Sequence, residues 1–274
     1  MCELLAMSAS HRARLTFSLQ ALAEHGGTAG RMHDGWGVAF YQGQDVALFR
    51  EPAPAADSAL VRFLESQGPA TDLAISHIRH ATRGAVTLAN TQPFVRQLGG
   101  HSHVFAHNGD LPGIERSTGL APGAFQALGQ TDSEQAFCAL LARLAPLWSA
   151  AQPPTLAQRL AVLADYAAEL RALGPANFLY ADGDALFAHG HRRLQAASGR
   201  AEPPGLWCLQ RNCPEEPSAR AAQAAVTVGK AARSVVLLAS VPLSDEAWRP
   251  LDEGELLVLR MGSIVSRAFD PSPC

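Results

Sequence analysis

The chain has 274 residues, of which 47% are hydrophobic, so it is long enough to form a sizeable core. Its formal net charge is −3, which leaves no basic field to attract nucleic acid or an anionic membrane surface. The five cysteines form no compact framework, which excludes a disulfide-stapled scaffold.

In the first 110 residues, the apolar pattern predicts strands that alternate with two helices. The first helix, 16–25, ends at a Gly-Gly pair, and the second, 57–67, is capped by Asp57 or Ser58. Residues 81–102 are predicted as a loop because they contain several Gly, Asn and Pro residues. The predicted strands are 2–8, 38–41 and 46–50 as a hairpin, 73–79 and 103–106.

In the second half, two helices precede a series of strands. The first helix begins at a capping box, 131–134, in which Thr131 or Asp132 is the cap, and the second covers about 156–173. Short turns are predicted at Gly183-Asp184 and Met261-Gly262. The predicted strands are 177–182, 185–189, 206–209, 225–228, 235–239, 256–260 and 263–266.

This element order predicts an α+β protein. Strands at both ends of the chain surround a pair of helices, which indicates sheets that pack on each other and are covered by helices. Since no repeat or linker divides the chain, we expect one domain spanning residues 2–270.

Cys2 is a candidate nucleophile because removal of Met1 would leave a thiol and a free α-amine on one residue. An α-amine has a pKa of about 7.7–8.0, so it can accept the thiol proton and no separate catalytic histidine is needed. The alternative is that Cys2 only begins an apolar strand.

Four other stretches combine glycine with polar side chains. Arg79 closes an apolar strand and could bind a substrate carboxylate or form an internal salt bridge. Asn108-Gly109 could supply oxyanion donors or form an ordinary turn. Asp132 could bind an ammonium group or cap its helix, and the glycines of 34–37 fit a tight turn.

Together these stretches resemble the class II glutamine amidotransferases of the N-terminal nucleophile hydrolase superfamily, in their short stand-alone branch related to γ-glutamyl amidohydrolases. The similar motifs occur in family order, although each is short. They are Met-Cys-Glu-Leu-Leu at 1–5, Asp-Gly-Trp-Gly at 34–37, His-Ile-Arg at 77–79, Asn-Thr-Gln-Pro-Phe at 90–94, His-Asn-Gly at 107–109, Thr-Asp-Ser-Glu at 131–134, and Ala-Ser-Val-Pro-Leu at 239–243 with Trp248.

The resemblance implies a four-layer αββα sandwich and a role for each matching position. Cys2 would be the nucleophile, with its own α-amine as the base, and Asn108 and Gly109 would form the oxyanion hole. Arg79 would bind the α-carboxylate of a γ-glutamyl substrate, Thr82 would lie beside that carboxylate, and Asp132 would bind the α-ammonium. No metal or organic cofactor is expected.

The implied reaction is hydrolysis of the γ-amide of glutamine or of a γ-glutamyl compound. The alternatives are a γ-glutamyl peptide or amine hydrolase of thiol metabolism, and a non-catalytic binding module of the same fold. A zinc set of His189, His191, Cys208 and Cys213 is a weaker interpretation, because the cysteine spacing is loose.

The compartment and partners follow from the remaining features of the sequence. The cysteine usage fits a reducing cytoplasm, and no signal peptide or membrane-spanning stretch is expected. The expected partner is a small γ-glutamyl molecule, not nucleic acid or a membrane. A homodimer or a separate acceptor subunit stays open.

Overall fold

The computed structural model of the protein describes residues 2–15, 34–81, 84–148, 153–213, 226–227 and 233–269. Two large antiparallel sheets form its centre. The first sheet has eight strands, in the order β14-β11-β13-β1-β4-β2-β3, with β12 paired to the end of β1. These strands are β1 (Glu3–Leu15), β2 (Trp36–Gln42), β3 (Asp45–Glu51), β4 (Thr71–Ile78), β11 (Trp207–Cys213), β12 (Val226–Thr227), β13 (Arg233–Ala239) and β14 (Arg249–Pro250).

The second sheet has six strands, in the order β16-β15-β8-β7-β6-β5. These strands are β5 (Phe94–Leu98), β6 (His101–Gly109), β7 (Ala176–Ala181), β8 (Leu186–His189), β15 (Glu255–Arg260) and β16 (Ser263–Phe269). A separate two-stranded ribbon joins β9 (Arg193–Leu194) to β10 (Ala201–Glu202).

Three α-helices cover the sheets within the described ranges: α1 (Ala59–Gln67), α2 (Asp132–Leu144) and α3 (Leu156–Leu173). Ser58 caps α1, Thr131 caps α2, and a capping box at Thr155 begins α3. Two short 3₁₀ turns lie at Leu88–Asn90 and Ile114–Arg116. No helix among the residues described is long and apolar enough to cross a membrane.

Three buried clusters correspond to the three interfaces between layers. Leu5 and Met7 of β1 pack with α1 residues outside the first sheet, whereas Leu4 and Ala6 point between the two sheets. This alternation is the two-residue period of a strand that is buried on both faces. The third cluster joins the second sheet to α2 and α3, so the layers are helix, sheet, sheet and helix.

The predicted αββα sandwich is therefore confirmed, but two local predictions are wrong. Residues 81–102 are not a single loop, since they contain the edge strand β5. Asn108 and Gly109 are not a turn, because they are the last two residues of β6 and pair with Asn177 and Ala176. The predicted helix at 16–25 lies outside the described residues.

Candidate active site

Cys2 lies directly before β1, at the end of the first sheet where β4 finishes, since Glu3 pairs with Ile78, the last residue of β4. Its Sγ atom is 3.3 Å from the backbone nitrogen of His80 and 3.4 Å from the His80 carbonyl oxygen. The thiol is half-buried. Two adjacent backbone groups of the loop therefore fix the position of the candidate nucleophile.

Burial raises the pKa of the Cys2 thiol, and the His80 N–H opposes the shift. A thiol of this kind is protonated at neutral pH and needs a base to react. Among the neighbouring side chains, the negative charge of Glu3 raises this pKa and the positive charge of Arg79 lowers it, so the two charges oppose each other.

Asn108 joins the second sheet to Cys2. Its side-chain Nδ2 atom lies 2.6 Å from the carbonyl oxygen of Cys2 and 3.4 Å from Oγ of Ser240. Asn108 follows Val104 and Ala106 on the face of β6 that points between the sheets, which directs its amide to the start of β1.

The backbone N–H of Gly109 points away from β7. The Asp110 nitrogen donates to the Pro175 oxygen at 3.1 Å, so Gly109 and Ala176 form a non-hydrogen-bonded pair of the ladder. A Cβ atom at Gly109 would lie 1.8 Å from the Pro175 oxygen, so no other residue fits without a backbone shift.

The side chain of Gln92 fixes this end of β6. Its Oε1 accepts from the His107 nitrogen at 2.6 Å, and its Nε2 donates to the His107 oxygen at 3.2 Å. Gln92 thus replaces the backbone partner that β5, which begins only at Phe94, does not supply. This is the contribution of the Asn-Thr-Gln-Pro-Phe motif.

Arg79 is buried, and its guanidinium donates to the carbonyl oxygens of Gly84 and Ala85 at 3.1 and 3.0 Å. Burial lowers the pKa of Arg79, while the nearby Cys2 thiol and Asp34 carboxylate oppose the shift. Arg79 is thus close enough to the nucleophile for their charges to interact, and its backbone N–H bonds the Gly35 oxygen at 2.8 Å.

Asp132 is the first residue of α2 but not its cap, since the Thr131 hydroxyl accepts from Glu134. Its Oδ2 accepts from the Leu111 nitrogen at 2.8 Å, and its Oδ1 accepts from the Ser133 nitrogen at 2.8 Å. The carboxylate thus ties α2 to the segment that follows Gly109, and it remains half-buried.

Asn90 connects the Arg79 loop to the loop before α2. Its Nδ2 donates to the Ala85 oxygen at 2.9 Å, and its Oδ1 accepts from the Gln130 nitrogen at 2.7 Å. Arg79 and Asn90 share Ala85 as an acceptor, so the residue that follows β4 is hydrogen-bonded, through Asn90 and Gln130, to the segment just before α2.

The glycines of the Asp-Gly-Trp-Gly motif allow close packing beside this frame. A Cβ atom at Gly37 would lie 2.4 Å from the Gln92 oxygen, and Gly35 has a φ of 138°. Asp34 accepts from the Ala81 nitrogen at 2.8 Å, which holds the loop that contacts the Cys2 thiol.

The family model for class II glutamine amidotransferases matches residues 1–273. The chain belongs to this family. It is 34% identical to YafJ of Escherichia coli K12, which is named as a glutamine amidotransferase, over 97% of this chain and 100% of YafJ.

Two solved structures place the fold in the same group. A glutamine amidotransferase structure from Pseudomonas aeruginosa PA01 superposes with a TM-score of 0.68 at 30% identity, covering 97% of this chain and all of that one. Glutamine phosphoribosylpyrophosphate amidotransferase from Bacillus subtilis superposes with a TM-score of 0.61 at 15% identity. This chain covers 49% of that protein, so the second likeness concerns the fold alone.

For a class II glutamine amidotransferase, the expected site residues fall into two groups in this structure. Cys2 and Asn108 contact each other directly, and Gly109 follows Asn108 on the same strand. Arg79 precedes His80, which contacts the Cys2 thiol, and Asp132 bonds the nitrogen of Leu111, two residues after Gly109. Thr82 lies outside the described residues.

Four residues that contact the candidate site were not predicted as site residues: Glu3, Asn177, Arg193 and Ser240. Asn177 Nδ2 donates to the Asn108 oxygen at 3.0 Å, and Ser240 accepts from Asn108 as described above. Glu3 and Ser240 lie in the motifs at 1–5 and 239–243 that carry the family resemblance, which is a signal that could have pointed to them, whereas Asn177 and Arg193 lie in none of the quoted motifs.

The zinc interpretation gains no support from the site. His189 Nδ1 bonds the Ala176 oxygen at 2.7 Å, and His191 Nδ1 accepts from the Ala176 nitrogen at 3.3 Å. Within the ranges given above, no group of three His, Cys, Asp or Glu side chains is arranged to hold a metal ion.

Proposed function

We propose that the protein hydrolyses the γ-carboxamide of glutamine, or of a γ-glutamyl compound, through a thioester on Cys2. The products are glutamate and ammonia or an amine. The observation that supports the proposal is the contact of the Asn108 side-chain amide with the Cys2 carbonyl oxygen, which brings an amide donor to the residue that carries the thiol, with Gly109 next to Asn108 on β6.

The reaction begins with transfer of the thiol proton to the α-amine of Cys2, directly or through a water molecule. This base is available only after Met1 is removed, because an amide nitrogen does not accept a proton. A base is required because burial raises the pKa of the thiol.

The thiolate then attacks the γ-carbonyl carbon and forms a tetrahedral intermediate. The oxyanion is stabilised by the Gly109 N–H and by the side-chain amide of Asn108. The C–N bond breaks and the nitrogen leaves with the proton held by the amine. Water attacks the thioester, which releases glutamate and restores the thiol.

Substrate orientation is assigned to Arg79 and Asp132. Arg79 carries a positive charge near the thiol, and Asp132 carries a carboxylate beside the segment that follows Gly109. These opposite charges match the α-carboxylate and the α-ammonium of a γ-glutamyl group. Thr82 is proposed to assist at the carboxylate.

We further propose that the protein works in a reducing compartment such as the cytoplasm. The mechanism needs a reduced thiol at Cys2, and Cys138 and Cys208 are also free cysteines among the residues described.

The test is a hydrolysis panel of glutamine, a γ-glutamyl peptide and a γ-glutamyl amine, with glutamate release as the common measurement. We expect at least one substrate to turn over with wild-type protein and none with Cys2→Ala. Equal turnover by the two proteins, or none by the wild type with Met1 removed, would contradict the proposal.

A further inference from the structure

A buried ion pair adjoins the candidate nucleophile. Glu3, the residue after Cys2, is fully buried, and its Oε1 lies 2.7 Å from Nη2 of Arg193, which is 7% exposed. Burial raises the pKa of the Glu3 carboxyl, and the Arg193 guanidinium opposes this shift. A buried ion pair is seldom a net source of stability, so its location calls for another explanation.

The pair is connected to Asn108 through Ser240. Arg193 Nη1 donates to the Ser240 backbone oxygen at 2.5 Å. The Ser240 hydroxyl oxygen accepts from the Leu4 nitrogen at 3.0 Å and from Asn108 Nδ2 at 3.4 Å. The Ser240 nitrogen donates to the Leu4 oxygen at 3.0 Å. Ser240 therefore contacts both the strand that carries Cys2 and the amide that faces it.

The segment that carries Arg193 also holds the backbone of Asn108. Asn177 donates from Nδ2 to the oxygens of Asn108 and Arg192, at 3.0 and 2.7 Å, and accepts from the His191 nitrogen at 2.7 Å. The side chain and the backbone of Asn108 are thus linked to residues 191–193 by separate routes.

We infer that Ser240 is a positioning residue that orients the Asn108 amide over Cys2, and that the Glu3–Arg193 pair holds Ser240 in place. The inference rests on the proposed function, because it assigns a catalytic orientation to Asn108. Arginine suits this task, since its two terminal nitrogens bond Glu3 and Ser240 at the same time. A lysine has one terminal nitrogen and keeps the charge without that geometry.

The first test is a double-mutant cycle between Ser240 and Asn108. Ser240→Ala should lower kcat about 10-fold with little change in KM, because it misplaces a donor without removing a substrate contact. In an Asn108→Ala background the same substitution should have almost no further effect. Equal effects of Ser240→Ala in both backgrounds would overturn the inference.

The second test compares two buried arginines. Arg159 is 3% exposed and bonds Asp182 and Asp184 at 2.7 and 2.6 Å. Ala176, which pairs with Gly109, begins β7, and Asp182 directly follows the last residue of that strand. The Arg159–Asp182 ion pair therefore lies roughly 20 Å along the strand from the candidate site.

Arg193→Lys and Arg159→Lys should both lower the melting temperature, but only Arg193→Lys should lower kcat, by about 10-fold. Equal kcat values for the two variants would remove the role of the ion pair. Glu3→Gln, which keeps the shape of the side chain, provides a second measurement if Arg193→Lys does not fold.

An independent measurement separates this inference from the proposed function. The rate of Cys2 alkylation by iodoacetamide, followed by peptide mass spectrometry, depends on the position of Cys2 and not on turnover. Ser240→Ala should change this rate several-fold while Arg159→Lys does not. The two ideas fail on different results. If the wild type hydrolyses no γ-glutamyl substrate, the proposed function is wrong. If the labelling rate of Cys2 is unchanged in Ser240→Ala, the positioning role of Ser240 is wrong.

Discussion

The side-chain amide of Asn108 lies 2.6 Å from the carbonyl oxygen of Cys2, so the last part of β6 in one sheet is joined to the start of β1 in the other. The two residues are separated by 106 positions in the chain. Their contact forms where the ends of the two sheets meet. A change in the position of either residue should therefore alter the position of the other.

Asn108→Asp should abolish donation to an oxyanion while keeping the size of the side chain. We expect kcat to fall roughly 10²–10³-fold, with a smaller change in KM, since an oxyanion donor acts mainly in the transition state. Steady-state glutamate release is the measurement, and circular dichroism checks that the fold persists. An unchanged kcat would mean that Asn108 has only a structural role.

Cys2→Ala should remove hydrolysis, whereas Cys138→Ala should retain it. Cys138 is fully buried on α2, so its truncation should cost on the order of 1 kcal/mol of stability with little effect on kcat. Cys2 is half-buried before β1, and its loss should hardly change the melting temperature. The opposite pattern of activities would identify Cys138 as the essential thiol.

Met1 should be absent from active protein. A chain produced with a cleavable N-terminal extension that ends directly before Cys2 offers the sharpest test, because the same molecules are assayed before and after cleavage. We expect activity only after cleavage, when the α-amine is free to act as the base. Intact mass identifies both forms, and full activity of the uncleaved form would contradict the mechanism.

The strand assignments show what the sequence could and could not predict. The continuous apolar run of 235–239 and the Ser58 cap were sufficient for β13 and α1. The edge strand β5 was missed because Arg96 and Gln97 interrupt the apolar pattern and only β6 pairs with it. Its formation depends on a neighbouring strand, which a local pattern does not contain.

The candidate site shows the same division. Cys2, Arg79 and Asp132 could be selected from short motifs, but the strand conformation of Asn108 could not. The polar sequence His-Asn-Gly indicates a turn, and it is held extended by Gln92 and Asn177. Contacts such as Glu3 with Arg193, 190 positions apart, have no local signal at all.

Stability should decrease at acidic pH because several buried histidines are neutral in the fold. Burial lowers the pKa of His77 and of His189 to about 3, and that of His103 to about 4, against 6.5 when exposed. Below pH 6.5 these histidines therefore take up protons when the protein unfolds. Their contribution to the stability of the fold is complete above pH 6.5 and is lost as the pH falls towards 3. Near pH 5, each of these histidines should lower the free energy of unfolding by about 1.4 kcal/mol for every pH unit of acidification.

Urea denaturation at pH 7, 6 and 5 measures this dependence. His77→Leu should reduce the slope by about one histidine, and it should be tolerated because both ring nitrogens of His77 lack a hydrogen-bond partner within the described structure. His11 is exposed, so His11→Gln serves as the control for replacing a histidine outside the core. Identical slopes for wild type and His77→Leu would show that His77 is not a buried neutral group.

Asp132→Asn should raise KM for every substrate that carries an α-ammonium group. The neutral amide keeps the size of the carboxylate, and its single oxygen can still accept the Leu111 N–H while the contact with the Ser133 nitrogen is lost. The link between α2 and the segment after Gly109 should therefore persist. The sharpest comparison is glutamine against a glutaryl amide, which lacks the α-amine. Wild type should prefer glutamine strongly, and Asp132→Asn should lose most of that preference because only glutamine gains from the negative charge.

Asp110→Asn is the matched control, since Asp110 is an exposed carboxylate in the same segment and should keep both KM values. If wild type cleaved the glutaryl amide as well as glutamine, Asp132 would not bind the head group, and an amidase without glutamyl specificity would become the better description.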